Sequence, residues 1–194
     1  MKTFLIADTH LNHANIATYC DRPPNFTDMI IKRWNERVAW NDTVIHLGDV
    51  AIGHLSLVEN QLRSLAGNKI LIRGNHDRAK SNSWWMDHGF NFSCDGMMFQ
   101  DWWLTHEPAK ALPLVHGEKC LGNIHGHLHN IWHGFHCNPT TGERKLLDEM
   151  HQYKRLSNTW QRLFAAEYTD YRPVEFDKFV SQPDKYQARG PKKA

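Results

Sequence analysis

"TFLIADTHLNH" (residues 3–13) opens as an apolar run and breaks into polar residues at Asp8. Thr3, Phe4, Leu5 and Ile6 suit a buried strand, so Asp8 and His10 fall just past its carboxyl end. The same pattern recurs twice: "TVIHL" (43–47) delivers Gly48 and Asp49, and "KILIR" (69–73) delivers Gly74, Asn75 and His76. Between these runs, "TDMIIKRWNERVAW" (27–40) spaces Ile30, Trp34 and Val38 for a helix, with Thr27 as the expected N-cap. "HLSLVENQLRSLAG" (54–67) repeats the spacing with Leu55, Val58, Leu62 and Leu65 and stops at Gly67. The order β-α-β-α-β predicts an α/β fold with parallel neighbours, in which ligands gather outside the carboxyl ends of the strands.

The second half reads differently. "GMMFQDWWLTH" (96–106) predicts a hairpin turning at Gln100 and Asp101 and ending at His106, and "LGNIHGH" (121–127) predicts another short strand. Antiparallel additions are expected here. The polar stretch 139–160 reads as a loop with a surface helix near 146–156. "QRLFAAEYTDYRPVEF" (161–176) reads as a late strand ending at Pro173, with a short helix around 175–180. A single domain over 1–180 and a mobile basic tail over 181–194 follow.

Composition narrows the function. A chain of 194 residues suits one domain, and 23 basic against 21 acidic residues, net +2, create no strong field for nucleic acid or an anionic membrane. The opening apolar run is too short for a signal peptide, and no run approaches the roughly 20 residues that span a bilayer, so a soluble, cytoplasmic protein is expected. Cys20, Cys94, Cys120 and Cys137 form no CxxC pair, which argues against a disulfide framework or a thiolate zinc site.

The strand ends therefore deliver Asp8, His10, Asp49, Asn75, His76, His106, His127 and His129. Singly, each has a plain structural reading, because Gly-Asp is an ordinary turn and a lone His more often packs or faces water. Jointly they are carboxylate, imidazole and carboxamide donors, which suit divalent ions of borderline hardness, and a carboxylate can bridge two of them. His127 and His129, two apart, would share one side of an extended backbone. Two ions about 3.5–4 Å apart can clasp both the attacking and phosphoryl oxygens of an in-line displacement, and a water shared between them loses a proton near neutral pH.

"DTH" (8–10), "GD" (48–49), "GNHD" (74–77), His106 and "GHLH" (126–129), in this order, resemble the calcineurin-like metallophosphoesterase family, and more its compact bacterial and phage-type members than the large protein phosphatases. The resemblance implies two mixed β-sheets packed as a sandwich and flanked by helices. It implies two divalent ions, with Asp8, His10 and His129 on one, Asn75, His106 and His127 on the other, and Asp49 bridging. Mn2+ is expected first, with Zn2+, Fe or Ni2+ as alternatives. His76, outside both ligand sets, would be the general acid, a role that suits an imidazole near pH 7. The implied activity is phosphate-ester hydrolysis by a metal-bridging hydroxide. A small phosphodiester or nucleotide is the expected substrate, with a phosphomonoesterase or a non-catalytic binding scaffold of the same fold as alternatives.

This sequence departs from the GDxxDRG pattern of the larger members: "GDVAIG" (48–53) places Ile52 where the second Asp supports the catalytic His, which leaves Asp77, another carboxylate or no group to orient His76. Glu107 is expected to narrow access beside His106 or to repel an anionic substrate. His13 and Arg73 are candidate substrate contacts, and Arg22 a further phosphate clamp. The pairs Trp84-Trp85 and Trp102-Trp103 favour core packing over base stacking. His125 is expected to support the ligands from behind or to pack beneath them, and not to ligate directly. His133 and His136 are read as surface residues.

Overall fold

The structure is a computed structural model describing residues 1–115, 118–129, 135–137, 144–146 and 160–186. The first half runs β1 (Thr3–Ile6), α1 (Ala14–Tyr19), α2 (Phe26–Asn35), β2 (Thr43–His46), α3 (Leu55–Ser64), β3 (Asn68–Ile72), α4 (Asn82–Asp87) and β4 (Phe92–Cys94). It continues through β5 (Met97–Phe99), β6 (Trp102–Thr105), β7 (Leu114–Val115), β8 (Glu118–Lys119), β9 (Gly122–His125), β10 (Phe135–Cys137) and β11 (Arg144–Leu146). β12 (Gln161–Leu163), β13 (Val174–Glu175), α5 (Phe176–Ser181) and α6 (Pro183–Tyr186) complete it.

Two mixed sheets result. In the first, ordered β13-β1-β2-β3-β4, the strands β1 to β4 are parallel and β13 closes the edge antiparallel to β1. The second is ordered β12-β9-β6-β5. One buried apolar cluster joins Leu5, Ile6 and Ile45 of the first sheet to Leu104 and Ile124 of the second. Ile30, Trp34 and Val38 are buried as their spacing predicts, and so are Val58, Leu62 and Leu65, whereas Leu55 is 46% exposed.

Several expectations are corrected. Only the β5–β6 hairpin is antiparallel in the second sheet, and β9 runs parallel to both β6 and β12. Residues 106–121 supply the dozen or more residues that a parallel crossover needs, and hydropathy reports a strand but not its sense. Thr27 lies inside α2, where its hydroxyl accepts from the Asn12 amide at 2.9 Å instead of capping the helix. The late strand is two, β12 and β13, in different sheets and separated by a 3-10 segment over Ala166–Thr169. The expected tail begins as helix α6, with Tyr186 buried near Phe179, and residues 187–194 lie outside the described residues. Apart from Leu146 in β11, so does the helix expected over 146–156. No helix among the described residues is long and apolar enough to cross a membrane.

Candidate metal centre

The carboxyl ends of β1, β2, β3, β6 and β9 open onto one cleft, and the chain kinks there repeatedly. Asp8 (φ 52°), His10 (44°), Asp49 (56°), His127 (72°) and His129 (49°) all adopt left-handed backbone conformations. Such a conformation costs an L-residue about 1–2 kcal/mol and persists where surrounding bonds enforce it. Here the bonds are visible. The amides of Asp8, His10 and Leu11 donate to the carbonyls of Gly48, Asp49 and Val50 at 2.9–3.0 Å. The buried Asp77 carboxylate accepts from the amides of Asp49 (2.7 Å), Val50 (3.0 Å) and Gly74 (2.8 Å). Two glycines permit the close approach: a Cβ on Gly74 would land on the Asp49 carboxylate, and one on Gly126 would lie 2.5 Å from Asp8 Oδ2.

Among the described residues the donor atoms form four overlapping groups, each with ligand atoms within 4.8 Å of one another: His10, Asp49 and His76; Cys20, His129 and Glu167; and the two that hold residues the resemblance assigns to the two ions, Asp8, His10 and His129, and Asp49, His106 and His127. Asp49 sits between these last two, its Oδ2 3.5 Å from His10 Nε2 and 3.3 Å from His106 Nε2. Asn75 Oδ1 and His127 Nδ1 approach His106 Nε2 at 3.0 and 3.1 Å. Because His106 Nδ1 lies 2.8 Å from the Leu47 carbonyl, which can only accept, Nδ1 carries a proton and Nε2 is the nitrogen turned to the cleft. His10 Nε2 is buried without a hydrogen-bond partner, which a cation would explain.

The charges in this cluster displace one another. Burial raises the Asp8 carboxyl to about 6, against the lowering pull of His129 and His106. For Asp49 burial works the same way, but the hydrogen bond and charge of His106, with His10, hold it well below the ordinary carboxylate range. Burial disfavours the His106 cation, yet Asp49 and Asp8 lift it to about 9, while burial and His129 push His10 well below its ordinary value. Mutual displacement of this kind, at the end of a sheet, is characteristic of functional clusters.

His76 lies at the rim, 42% exposed, its Nε2 4.0 Å from Asp49 Oδ2 and its ring beside those of His10 and His13. His13 Nδ1 is 3.2 Å from His10 Nδ1, which brings this candidate substrate contact to the cleft. The neighbouring Asn12 instead exchanges two amide hydrogen bonds with Gln61. Arg73 places its guanidinium fork on Asp95 and the Lys80 carbonyl. Arg22 as a phosphate clamp is corrected: it is buried, donating to the Asp8 and Thr9 carbonyls and to Glu167. Asp77 orients backbone amides and not the His76 ring. Glu107 is exposed and pairs with Arg78 at 3.3 Å.

His127 and His129 do not share one side of an extended strand. Both lie beyond β9 with positive φ, so reversals around Leu128 bring them to the cleft, and not the alternation of an extended strand. His125 is buried with Nδ1 on the Gly126 carbonyl and Nε2 without a hydrogen-bond partner, and it belongs to none of the donor groups. Trp85 and Trp102 are buried, and Trp84 stacks on His88. His133 and the side chain of His136 lie outside the described residues. Sequence reading missed Glu167, which reaches His129 Nδ1 at 3.4 Å, and His46, which joins Thr9 to the Gly48 amide. No local signal marks Glu167, which comes from an unforeseen 3-10 segment.

The calcineurin-like phosphoesterase family profile matches residues 1–184. Uncharacterized protein MJ1445 of Methanocaldococcus jannaschii is 43% identical over 83 residues, 40% of this chain, and the match spans about half, 47%, of that relative's length. A solved protein of unknown function, AQ665 from Aquifex aeolicus, shares the fold with a TM-score of 0.64 at 21% identity, over 93% of this chain and 98% of that one.

Proposed function

The chain belongs to the calcineurin-like phosphoesterase family, and from that premise we propose that it is a metal-dependent hydrolase of phosphate esters. The observation that carries this reading is the shared Asp49 carboxylate, within 3.5 Å of an imidazole nitrogen of His10 and of His106. Asp8, His10 and His129 would hold one divalent ion, Asn75, His106 and His127 a second, and Asp49 both. Oxygen and nitrogen donors without thiolate fit Mn2+ first, with Zn2+, Fe or Ni2+ as alternatives. When bound, such ions supply Lewis acidity toward phosphoryl oxygens and bring the pKa of a coordinated water near neutrality.

The remaining work falls to the chain's own groups. The Leu47 carbonyl fixes the His106 ring, and Asp77 fixes the amides around Asp49 and Gly74. His76, exposed at the rim with its backbone amide held by Asp49 Oδ1 at 3.0 Å, presents the imidazole that protonates the departing oxygen. His13 stands beside it as a substrate contact. We place small phosphodiesters and nucleotides ahead of monoesters, since Arg22 and Arg73 are committed elsewhere and a monoester dianion favours a guanidinium fork.

The test is turnover of bis-p-nitrophenyl phosphate against p-nitrophenyl phosphate after loading with Mn2+. The diester should be cleaved faster, and on an alkyl phosphodiester, whose alkoxide must be protonated to depart, His76→Ala should keep its metal content while losing about 100-fold or more in kcat. Inactivity of the metal-loaded protein on both esters would overturn the catalytic reading, and unchanged turnover in His76→Ala would remove His76 from it.

A further inference from the structure

Behind the Asp8, His10 and His129 group lies a buried ion pair that the reading above does not use. Arg22 Nη2 is 2.6 Å from Glu167 Oε1, with the two side chains 0% and 5% exposed. The guanidinium also donates to the Thr9 carbonyl at 3.0 Å and the Asp8 carbonyl at 2.7 Å, and lies against the Phe26 and Tyr171 rings. A buried ion pair seldom adds net stability over apolar residues of similar volume, so its placement calls for another explanation.

His129 supplies one. Its Nε2 faces Asp8 Oδ1 at 3.9 Å, and its Nδ1 faces Glu167 Oε1 at 3.4 Å. Arg22 Nη2 is also 3.4 Å from that Nδ1, but both Nη2 protons are already directed to Asp8 O and Glu167 Oε1. The imidazole must therefore be the donor in its contact with Glu167. We propose that Glu167 and Arg22 are positioning residues: Glu167 accepts the Nδ1 proton of His129 and so presents Nε2 as a ligand, while Arg22 holds Glu167 and pins the loop carrying Asp8 and His10. One guanidinium thus sets two ligand loops that are more than a hundred residues apart in the chain.

The inference rests on the proposed function, in that it takes the Asp8 group to hold an ion. It adds an asymmetry between the two groups. His106 is backed by a neutral carbonyl, His129 by a carboxylate, and a carboxylate behind an imidazole makes it the more basic ligand. A third cation among Cys20, His129 and Glu167, whose donor atoms also cluster, is disfavoured because the Arg22 guanidinium already sits against two of them.

The experiment is a Mn2+ titration of the chelated protein, with metal content measured by mass spectrometry, for wild type and Glu167→Gln. The expected result is two ions per wild-type chain, and in the variant one ion at wild-type affinity and the other weakened about 10–100-fold. Should Glu167→Gln not fold, the double variant Arg22→Met with Glu167→Leu replaces the pair by apolar residues and should show the same selective loss. Two ions at wild-type affinity in the folded variant, equal weakening of both, or failure of both variants to fold would overturn the positioning role. Fewer than two ions in the wild type would overturn the two-ion reading itself, a result distinct from all of these.

Discussion

His46 shows how a single residue links the site to solution conditions. Its Nδ1 accepts from the Gly48 amide at 3.1 Å, so its Nε2 carries the proton toward Thr9 Oγ1 at 2.9 Å, and Thr9 in turn donates to the Val50 carbonyl. Burial, with the nearby His106 charge, lowers its pKa to about 3. Between that value and the unfolded value of about 6.5 the unfolded chain binds a proton that the folded chain does not. This contribution is therefore complete above about 6.5 and is lost as pH falls, at about 1.4 kcal/mol per pH unit. Urea melts from pH 4 to 7 should show a slope shallower in His46→Gln than in wild type by about that amount; an unchanged slope assigns it elsewhere. Asp77→Ala, which strips three backbone amides of their acceptor, should cost about 1–3 kcal/mol for each amide left buried and unpaired, read from the urea midpoint. At this scale the sequence was most legible where a functional group directly follows a strand, as Asp8, Asp49 and Asn75 do. Glu167 was illegible because its meaning lies in a contact with His129, 38 residues away.

At the scale of elements, the β5–β6 hairpin was legible through its turn, and that turn is also strained. Gln100 (φ 46°) and Asp101 (φ 64°) are both left-handed, as a two-residue hairpin with the right twist requires. Replacing them with Asn and Gly should raise stability by about 1 kcal/mol without altering the denaturant slope. A lower urea midpoint would show that the native side chains contribute contacts worth more than the strain. The direction of β9 was not legible, since alternation and apolarity are the same for a strand running either way. Nor was β4 of the parallel sheet, a three-residue strand whose Phe92 is 49% exposed and gives little hydropathic signal.

For the whole molecule, the family and its two-sheet architecture were legible because five short blocks recur in a fixed order. The closure of the first sheet was not. It depends on β13 pairing with β1, and on Lys2 bonding Glu175 at 3.0 Å, across nearly the whole chain. The cleft is likewise a global product, its loops held by amide–carbonyl and amide–carboxylate bonds from several elements. Chelation should therefore leave the far-UV circular dichroism unchanged, while added Mn2+ raises Tm, with about 2.7 kcal/mol of stabilisation per bound ion at a hundredfold excess over Kd. Collapse of the spectrum on chelation would show that the ions, and not these bonds, hold the loops.

The three amides gathered on Asp77 have a consequence for the protein's working life. On the proposed function, a socket shaped by its own backbone would let one cation leave and another take its place while the chain stays folded, so that a change of metal would not wait on new protein synthesis.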